Sequence, residues 1–465
     1  MARTNALSPE ALAALGAAKL ARIILDEVET NAAFRRRVVA ATASGQGAEA
    51  VAKLLDRRLA GLERARGRVD WEKERDFAAD LSATVGTILK ELAPLSPDRA
   101  VHTLLRFIDT HGAVLERIDD SSGRIQAVYW GASEAMPDLV ERLSPGEQTV
   151  IPDRLMKSLA KDTHGLAAGI AVAVVPKLPE PVLARWDEDL RQRSGDVRLV
   201  EIRQAIADMR GDLDLYLALE LERPDWRQNP LRAAERLLAA GRLDEALSWV
   251  RRPRKGGVAY ATEADIADGR IRRPATLERV RLEARILEAM KDRPAAQALR
   301  WDTFENTLDA EILREYLRKL DDFREFEELE RAFAVAAAGP LPYTGLAFFI
   351  AWPRLDRAAR LVMERGDQWQ GQHYGALVPA AEALEEEFPL AATILYRALL
   401  DDILARAKSP AYAHGARYLA RLRELSDRIS GEPGLTSHPD YVIGLRKKHG
   451  RKLGFWSIAD GKRGT

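Results

Sequence analysis

The stretch that decides the fold class is NPLRAAERLLAAGRLDEALSWVRRP, residues 229–253. Apolar residues recur at three- and four-residue spacing on both sides of Gly241, which predicts two helices joined by a tight turn. Gly241 can adopt the left-handed conformation that closes the first helix, and Asp244 and Glu245 favour the start of the second. Small Ala246 would let the two helices approach. This is the pattern of a tetratricopeptide-type hairpin, whose apolar face must be covered by a neighbouring hairpin.

Similar hairpins follow along the chain, without an exact period. LERVRLEARILEAMKDRPAAQALRWDTFENT (277–307) repeats the design with Lys-Asp-Arg-Pro as the turn, and residues 320–336 and 355–404 continue it. Before the array, AVAKLLDRRLAGLERA (50–65) also has helical spacing, and Ser8-Pro9 and Ser96-Pro97 are typical helix starts. We therefore expect an all-α protein. Its parts would be a helical N-terminal domain (1–145), a degenerate tetratricopeptide-like α-solenoid (150–430), and an irregular linker with a basic C-terminal tail (431–465).

The composition excludes several classes of chemistry. The 465 residues contain 71 Lys plus Arg and 71 Asp plus Glu, so no global charge attracts the chain to nucleic acid or to an anionic membrane. There is no cysteine, which excludes disulfides, thiolate metal sites and cysteine nucleophiles. The first residues lack the apolar core of a signal peptide, so we expect a cytoplasmic protein.

One charge-free stretch tests the possibility of a membrane span. AFAVAAAGPLPYTGLAFFIAWP, residues 332–353, is as long as a transmembrane helix. Gly339, Pro340, Pro342 and Gly345 interrupt it, however, and neither remaining piece reaches the required length. The sequence predicts a turn between two buried helices and no association with a membrane.

The polar segment IDDSSG, residues 118–123, is the first candidate for a ligand site. It fails the calcium-loop pattern, because the sixth position from Asp119 is Arg124 and the twelfth is Trp130. It also lacks the Gly-Lys-Ser/Thr of a phosphate loop. A helix-capping corner is the favoured interpretation. The alternative is a ligand-binding corner, formed by His102, His111, Asp119 and Asp120.

No residues have the spacing of a metal or cofactor site. None of the seven histidines forms a ligand pair one helical turn apart. No nucleophile elbow or kinase signature is present. We therefore expect no metal, no cofactor and no catalytic residues, and we expect that the protein is not an enzyme.

Two clusters of local positive charge stand out in this neutral chain, in the loop 251–274 and in the tail 446–456. Basic side chains beside aromatic rings can hold single-stranded nucleic acid or another anion. The favoured interpretation is that Phe455 and Trp456 pack against the last helical pair while the charges stay hydrated. The candidate contacts are Arg251, Arg252, Arg254, Lys255, Arg272, Arg273, Arg446, Lys447, Lys448, Arg451, Lys452 and Trp456.

Four stretches carry a resemblance to a known family. They are VDWEKERDFAADL (69–81), FIDTHGAVLERIDDSSG (107–123), residues 373–419, and HPDYVIGLRKKHGRKLGFW (438–456). Together they resemble a bacterial family catalogued as a domain of unknown function, number 6880. The C-terminal third is also similar to the helical region that follows the zinc finger of SWIM-type proteins, but this chain lacks the cysteines of that finger. The resemblance implies a helical fold and supplies no catalytic residues.

Three functions are compatible with these patterns. The leading one is a non-enzymatic helical scaffold or adaptor that binds a protein segment on its solenoid surface. The second is association with nucleic acid through the loop 251–274 and the tail 446–456. The third is an enzyme of unrecognised type with a site near His102, His111 and Asp119.

Overall fold

The computed structural model describes residues 8–193, 196–252, 274–320, 324–339, 342–429 and 435–461, and the described chain forms helices and no strand. The predicted all-α class is confirmed. By their contacts the residues form two compact units, Met1–Pro224 and Asp225–Thr465. The predicted boundaries of the three parts, at residues 145, 150 and 430, stay predictions.

The helices of the first unit are numbered in chain order. They are α1 Pro9–Ala13, α2 Ala17–Thr30, α3 Ala32–Gly45, α4 Ala48–Arg64, α5 Glu74–Thr87, α6 Pro97–Ile108, α7 His111–Leu115, α8 Arg124–Glu134, α9 Met136–Glu141, α10 Pro145–Gln148, α11 Ile151–Leu159, α12 Leu166–Val174, α13 Glu180–Arg191, α14 Val197–Arg210 and α15 Leu213–Glu222. A π-helical turn, Ile88–Leu92, and 3₁₀ turns at Trp71–Lys73 and Val175–Lys177 complete the unit.

The second unit continues the numbering. Its helices are α16 Pro230–Ala239, α17 Leu243–Val250, α18 Pro274–Ala289, α19 Arg293–Thr307, α20 Ala310–Leu317, α21 Glu325–Ala338, α22 Pro342–Ala351, α23 Leu355–Arg365, α24 Tyr374–Leu384, α25 Pro389–Ala405, α26 Tyr412–Ser426, α27 His438–His449 and α28 Leu453–Ala459. Short 3₁₀ turns lie at Gly366–Gln368, Gly371–His373 and Ser409–Ala411.

The first unit packs around one core that connects helices distant in sequence. Its buried apolar residues run from Val51 to Ile206, and α5 packs on α8, α6 on α9 and α8 on α12. The predicted helix at 50–65 is α4, with Val51, Leu55, Leu59 and Leu62 buried. Helix α1 begins as predicted, with the Ser8 hydroxyl accepting a hydrogen bond from the amide of Ala11 at 3.1 Å.

The second unit is built differently, because the main contacts of each helix are with helices one or two places away in the chain. This local packing is compatible with the predicted stack of hairpins. The predicted pair at 229–253 is α16 and α17, and Gly241 between them has φ +73°. The amide of Arg242 donates to the carbonyl of Leu237 at 2.9 Å, which satisfies one of the last carbonyls of α16.

The same turn recurs with residues other than glycine. Lys291 has φ +65°, and the next amide, of Asp292, donates to the carbonyl of Leu287 at 2.9 Å. Ala407 has φ +52°, followed by a bond of 3.2 Å from the amide of Lys408 to the carbonyl of Ile403. A side chain in this conformation is strained, so packing on the neighbouring helices must hold these two turns in place.

The charge-free stretch 332–353 is divided between two helices, as predicted. Helix α21 ends at Ala338 and α22 begins at Pro342. Gly345 lets the two helices touch, because a Cβ atom at this position would lie 2.2 Å from the carbonyl oxygen of Ala336. Within the described ranges no helix has the length and apolar composition that crossing a membrane requires.

Candidate functional site

Two loops of identical sequence, Asp-Thr-His-Gly, meet in the first unit. The first covers residues 109–112, from the turn after α6 into the start of α7, and the second covers residues 162–165, immediately before α12. Together with the end of α11 they line a small cleft of about 20 Å³. The cleft brings imidazole, carboxylate, ammonium and hydroxyl groups together, and it is therefore the first candidate site.

The first loop is anchored in the core. The hydroxyl of Thr110 lies 2.7 Å from that of Tyr129 and donates to the carbonyl of Phe107 at 2.6 Å. The ring of His111 is only 3% exposed and packs edge-on against Tyr129, with centroids 4.8 Å apart. Its Nε2 lies 2.9 Å from the amide oxygen of Gln126. A carbonyl oxygen only accepts, so Nε2 carries the proton.

The second loop is held by its aspartate. One carboxylate oxygen of Asp162 accepts from the amides of His164 at 3.1 Å and Gly165 at 2.8 Å, and the other accepts from Ala168 at 3.2 Å. These bonds satisfy amides at the start of α12 that have no partner within the helix. Gly165 has φ +83°, a conformation that glycine adopts without strain.

The two loops touch through His111, Gly112, Thr163 and His164. The imidazole rings meet edge to face, with centroids 4.7 Å apart and an interplanar angle of 80°. A Cβ atom on Gly112 would lie 3.0 Å from Oγ1 of Thr163, so glycine permits the close approach. That hydroxyl in turn lies 2.7 Å from Nδ1 of His164.

Charges at the cleft are largely neutralised inside the protein. Lys161 donates to a carboxylate oxygen of Asp109 at 2.9 Å, and Asp162 is surrounded by backbone amides. Burial lowers the pKa of His111 below its ordinary value, which favours the neutral ring. Burial also raises the pKa of Tyr129 to about 12, so its hydroxyl stays protonated.

The predicted IDDSSG corner is a helix cap. One carboxylate oxygen of Asp120 accepts from the amide of Ile125 at 3.0 Å, and the other accepts from Gln126 at 2.8 Å. Gly123 takes φ +72° and Asp119 accepts from the amide of Ser121 at 3.1 Å. Both carboxylates therefore form backbone hydrogen bonds, at a corner that starts α8 as Asp162 starts α12.

Of the four residues of the alternative ligand corner, His111 alone lines the cleft. His102 is exposed on α6, which ends at Ile108, so the chain turns before His111 and the two histidines do not share a helix face. The structure instead pairs His111 with His164, which the sequence analysis did not single out. The repeated Asp-Thr-His-Gly tetrapeptide was the signal that could have found this pair.

The described part of the chain holds no group of three or more His, Cys, Asp or Glu side chains that could bind a metal ion. The cleft contains two histidines, and both carboxylates beside them already have partners. Its polar groups are therefore suited to hydrogen bonding or proton transfer rather than to metal coordination.

The basic loop 251–274 is described only at its two ends. Arg251 forms an ion pair of 2.7 Å with Glu283, and the guanidinium of Arg252 lies 3.8 Å from the ring centroid of Trp249. Arg254, Lys255, Arg272 and Arg273 lie outside the described residues.

In the basic tail the aromatic residues face inward. Phe455 and Trp456 are buried, and the Trp456 indole N–H donates to the carbonyl of His449 at 3.0 Å. The guanidinium of Arg446 lies 4.1 Å from the Trp456 ring centroid and pairs with Asp460 at 2.6 Å. Among the candidate anion contacts, the side chains that remain exposed on this tail are Arg446, Lys447, Lys448 and Arg451.

The second unit contains a different kind of site, an open groove of about 220 Å³ between α21 and α23. Helix α21 contributes Glu330, Phe333, Ala334 and Ala337, and α23 contributes Arg357, Arg360, Leu361 and Glu364. Phe349 of α22 lies at its base. We call this surface the α21–α23 groove.

Comparison with known proteins gives one family match. A family model described as a family of unknown function (DUF6880) matches residues 2–198 and 184–458. No curated protein matches the chain.

Proposed function

The chain belongs to the family of unknown function DUF6880, and we propose that it is a non-enzymatic, tetratricopeptide-like scaffold of the cytoplasm. In this proposal the α21–α23 groove binds a helical segment of a partner protein. The observation that carries the proposal is the shape and chemistry of this groove within an array of locally packed helices.

The two walls of the groove have the same spacing. The lining residues of each helix stand at positions i, i+3, i+4 and i+7, so each helix presents one continuous face. Two such faces side by side form a surface onto which a third helix can lay its own apolar stripe.

The floor and the rim of the groove suit an amphipathic helix. Phe333, Phe349 and Leu361 are buried beneath the surface, while Ala334 is exposed. Small Ala334 and Ala337 leave room above this apolar floor for larger side chains of a partner. At the rim Arg357 pairs with Glu330 at 2.7 Å, and exposed Arg360 and Glu364 offer one charge of each sign. A partner helix with apolar residues at helical spacing, flanked by both an acidic and a basic residue, fits this pattern.

Site-specific photo-crosslinking tests the proposal in the native cell. A photoreactive phenylalanine analogue at Ala334 should crosslink to one protein segment, identified by mass spectrometry. The same analogue at Ala289, an exposed alanine of α18 outside the groove, should not. Ala334→Arg should then weaken binding of the identified segment at least about tenfold by filling the groove, whereas Ala289→Arg should leave it unchanged.

Nuclease treatment and a salt series distinguish nucleic-acid association from this function. Crosslinks that disappear with nuclease, or binding that falls steeply with salt, would favour association through the loop 251–274 and the tail 446–456. Equal crosslinking from Ala334 and Ala289 would contradict the groove as the binding surface.

A further inference from the structure

We propose that two copies of the chain associate through their first helices. In this assignment α2 of one copy lies in an open groove of about 660 Å³ between α3 and α4 of the other copy, and the contact is reciprocal. We call this surface the α3–α4 groove. The inference goes beyond the scaffold function, because these helices belong to the first unit and the α21–α23 groove belongs to the second.

The α3–α4 groove has an apolar lining that its own chain leaves uncovered. The apolar residues that line it are Val38, Val39, Ala43, Ala50 and Leu54. No residue of α2, which the structure describes in full, lines the groove of the same chain. Val39 is therefore 46% exposed. Apolar surface of this kind is typical of a site that another molecule covers.

Helix α2 is packed on one face only. Its main contacts are with α3, and none of its 14 residues is buried. Leu20, Ile24 and Val28, at four-residue spacing, are half-buried and form its inner row. Leu25 lies outside this row and is 62% exposed. A helix of this length depends on tertiary packing, so a second contact on its outer face would stabilise it.

The outer face of α2 and the rim of the groove carry opposite charges in the same order. Six exposed residues form the two rows, and they are Arg22, Asp26 and Glu29 on α2, and Glu49, Lys53 and Arg57 on α4. The order of signs is plus, minus, minus on α2 and minus, plus, plus on α4. The first two residues of each row are four apart, a rise of about 6 Å. An α2 helix that lies parallel to α4 of a second copy therefore places each charge beside an opposite one.

These charges are available for a contact between copies. Among the six residues, Glu49 alone forms an ion pair within the described chain, with Arg99 at 2.5 Å. Its carboxylate has further acceptor positions for a second guanidinium. Exposed ion pairs are individually weak. The two rows would therefore set the direction and register of α2, while apolar burial would supply most of the affinity.

Leu25 supplies the apolar contact of α2. It stands three residues after Arg22 and four before Glu29, so it lies on the same helix face as the charged row. Small Ala43 and Ala50 leave room for such a side chain in the groove. Asn31 is the single residue between α2 and α3, and it holds the end of α2 at the start of α3 of its own chain. The α2 helix of a second copy is free of this restraint.

The test is a charge-reversal exchange in the full-length protein, measured by sedimentation equilibrium. We expect the unchanged protein to form a dimer. One double variant, Asp26→Lys with Glu29→Lys, reverses the charges of α2. The other, Lys53→Glu with Arg57→Glu, reverses those of the groove. Each variant alone places like charges together at both contacts, so its dimer dissociation constant should rise at least about tenfold.

An equimolar mixture of the two double variants distinguishes this contact from a general effect on folding. In the mixed dimer each α2 meets a groove of opposite charge, so the mixture should dimerise about as tightly as the unchanged protein. Asp153→Lys with Asp189→Lys, at exposed positions of α11 and α13, is the control and should leave the dimer unchanged.

A leucine pair tests the apolar contribution. Leu25→Ala should raise the dimer dissociation constant about fivefold or more, because it removes the side chain that enters the groove. Leu221→Ala, at a leucine of α15 that is 53% exposed, should have no effect. Three results would overturn the proposal: a monomeric unchanged protein, charge-reversed variants that dimerise as tightly as the unchanged protein, or a mixture that dimerises no better than each variant alone.

Discussion

The rings of His111 and His164 stand edge to face at a centroid distance of 4.7 Å, each supplied by one copy of the same tetrapeptide. The same four residue types have different structural roles in the two loops. Asp109 pairs with Lys161 across the cleft, while Asp162 caps α12. His111 is buried and His164 is exposed. The environment, not the tetrapeptide itself, therefore decides the role of each residue.

Protonation of His111 should destabilise the native state. Burial lowers its pKa below the ordinary value of 6.5, although Gln126, Asp162 and Asp120 act in the opposite direction and His164 adds to the lowering. The unfolded chain therefore binds this proton more readily than the native protein. The stabilisation of the native state by the neutral His111 ring is fully present above about pH 6.5. It is lost as the pH falls from there toward the lower native pKa of His111.

We expect the urea midpoint of the unchanged protein to fall between about pH 7.5 and pH 5.5, and to fall less in His111→Gln. His102→Gln, at an exposed position of α6, is the control and should retain the full pH dependence. An equal pH dependence in His111→Gln and the unchanged protein would contradict the assignment.

The two aspartates of the IDDSSG corner should contribute unequally to the free energy of unfolding. Asp120→Ala removes hydrogen bonds to two amides at the start of α8 and should lower the free energy of unfolding by about 1–2 kcal/mol. Asp119→Ala removes one bond, to the amide of Ser121, at an exposed position. Its effect should stay below about 0.5 kcal/mol in urea unfolding. The reverse order would indicate that the corner is not primarily a cap.

Replacing the strained residues of the hairpin turns should stabilise the protein. Lys291→Gly and Ala407→Gly relieve side chains held at φ +65° and φ +52°, and each should raise the free energy of unfolding by about 0.5–1 kcal/mol. Gly241→Ala, at an equivalent turn with φ +73°, should lower it by a similar amount. Thermal and urea unfolding of the three variants provide the measurement, and destabilisation by Lys291→Gly would contradict the turn geometry.

The contact between α21 and α22 should tolerate no side chain at Gly345. A Cβ atom there would lie 2.2 Å from the backbone oxygen of Ala336, so Gly345→Ala must push the helices apart. We expect a loss of about 3 kcal/mol or more, or failure to accumulate in soluble form. Gly444→Ala on α27, where a Cβ atom meets nothing within 4 Å, should be neutral or slightly stabilising. Similar stability of both variants would argue against this packing.

The fold class and the hairpins were predictable because they depend on local rules. Helical spacing, proline at helix starts and Gly241 at a helix end can each be recognised within a few residues of sequence. The turns at Lys291 and Ala407 have the same geometry, but their residues carry no preference for it. The Lys-Asp-Arg-Pro motif predicted a turn at Lys291, but residue preference could not predict the left-handed conformation of Lys291 or Ala407.

These local rules could not predict the cleft between the two Asp-Thr-His-Gly loops. Asp119 and Asp120 looked like potential ligands, yet the first bonds to a nearby amide and the second caps α8. The meeting of residues 109–112 with residues 162–165 depends on how α6, α11 and α12 pack, which no periodicity encodes. The sequence favoured a packed Trp456 but could not identify its neighbours, and the fold places its ring beneath Arg446.

The nearest-neighbour packing of the second unit has a mechanical consequence. The main contacts of each helix are with the next one or two along the chain, so resistance to a pull on the ends of the unit comes chiefly from contacts between near neighbours. Small rotations at successive turns would add up, so the unit would extend elastically under a small force. We expect the proposed binding of a segment in the α21–α23 groove to change with such an extension.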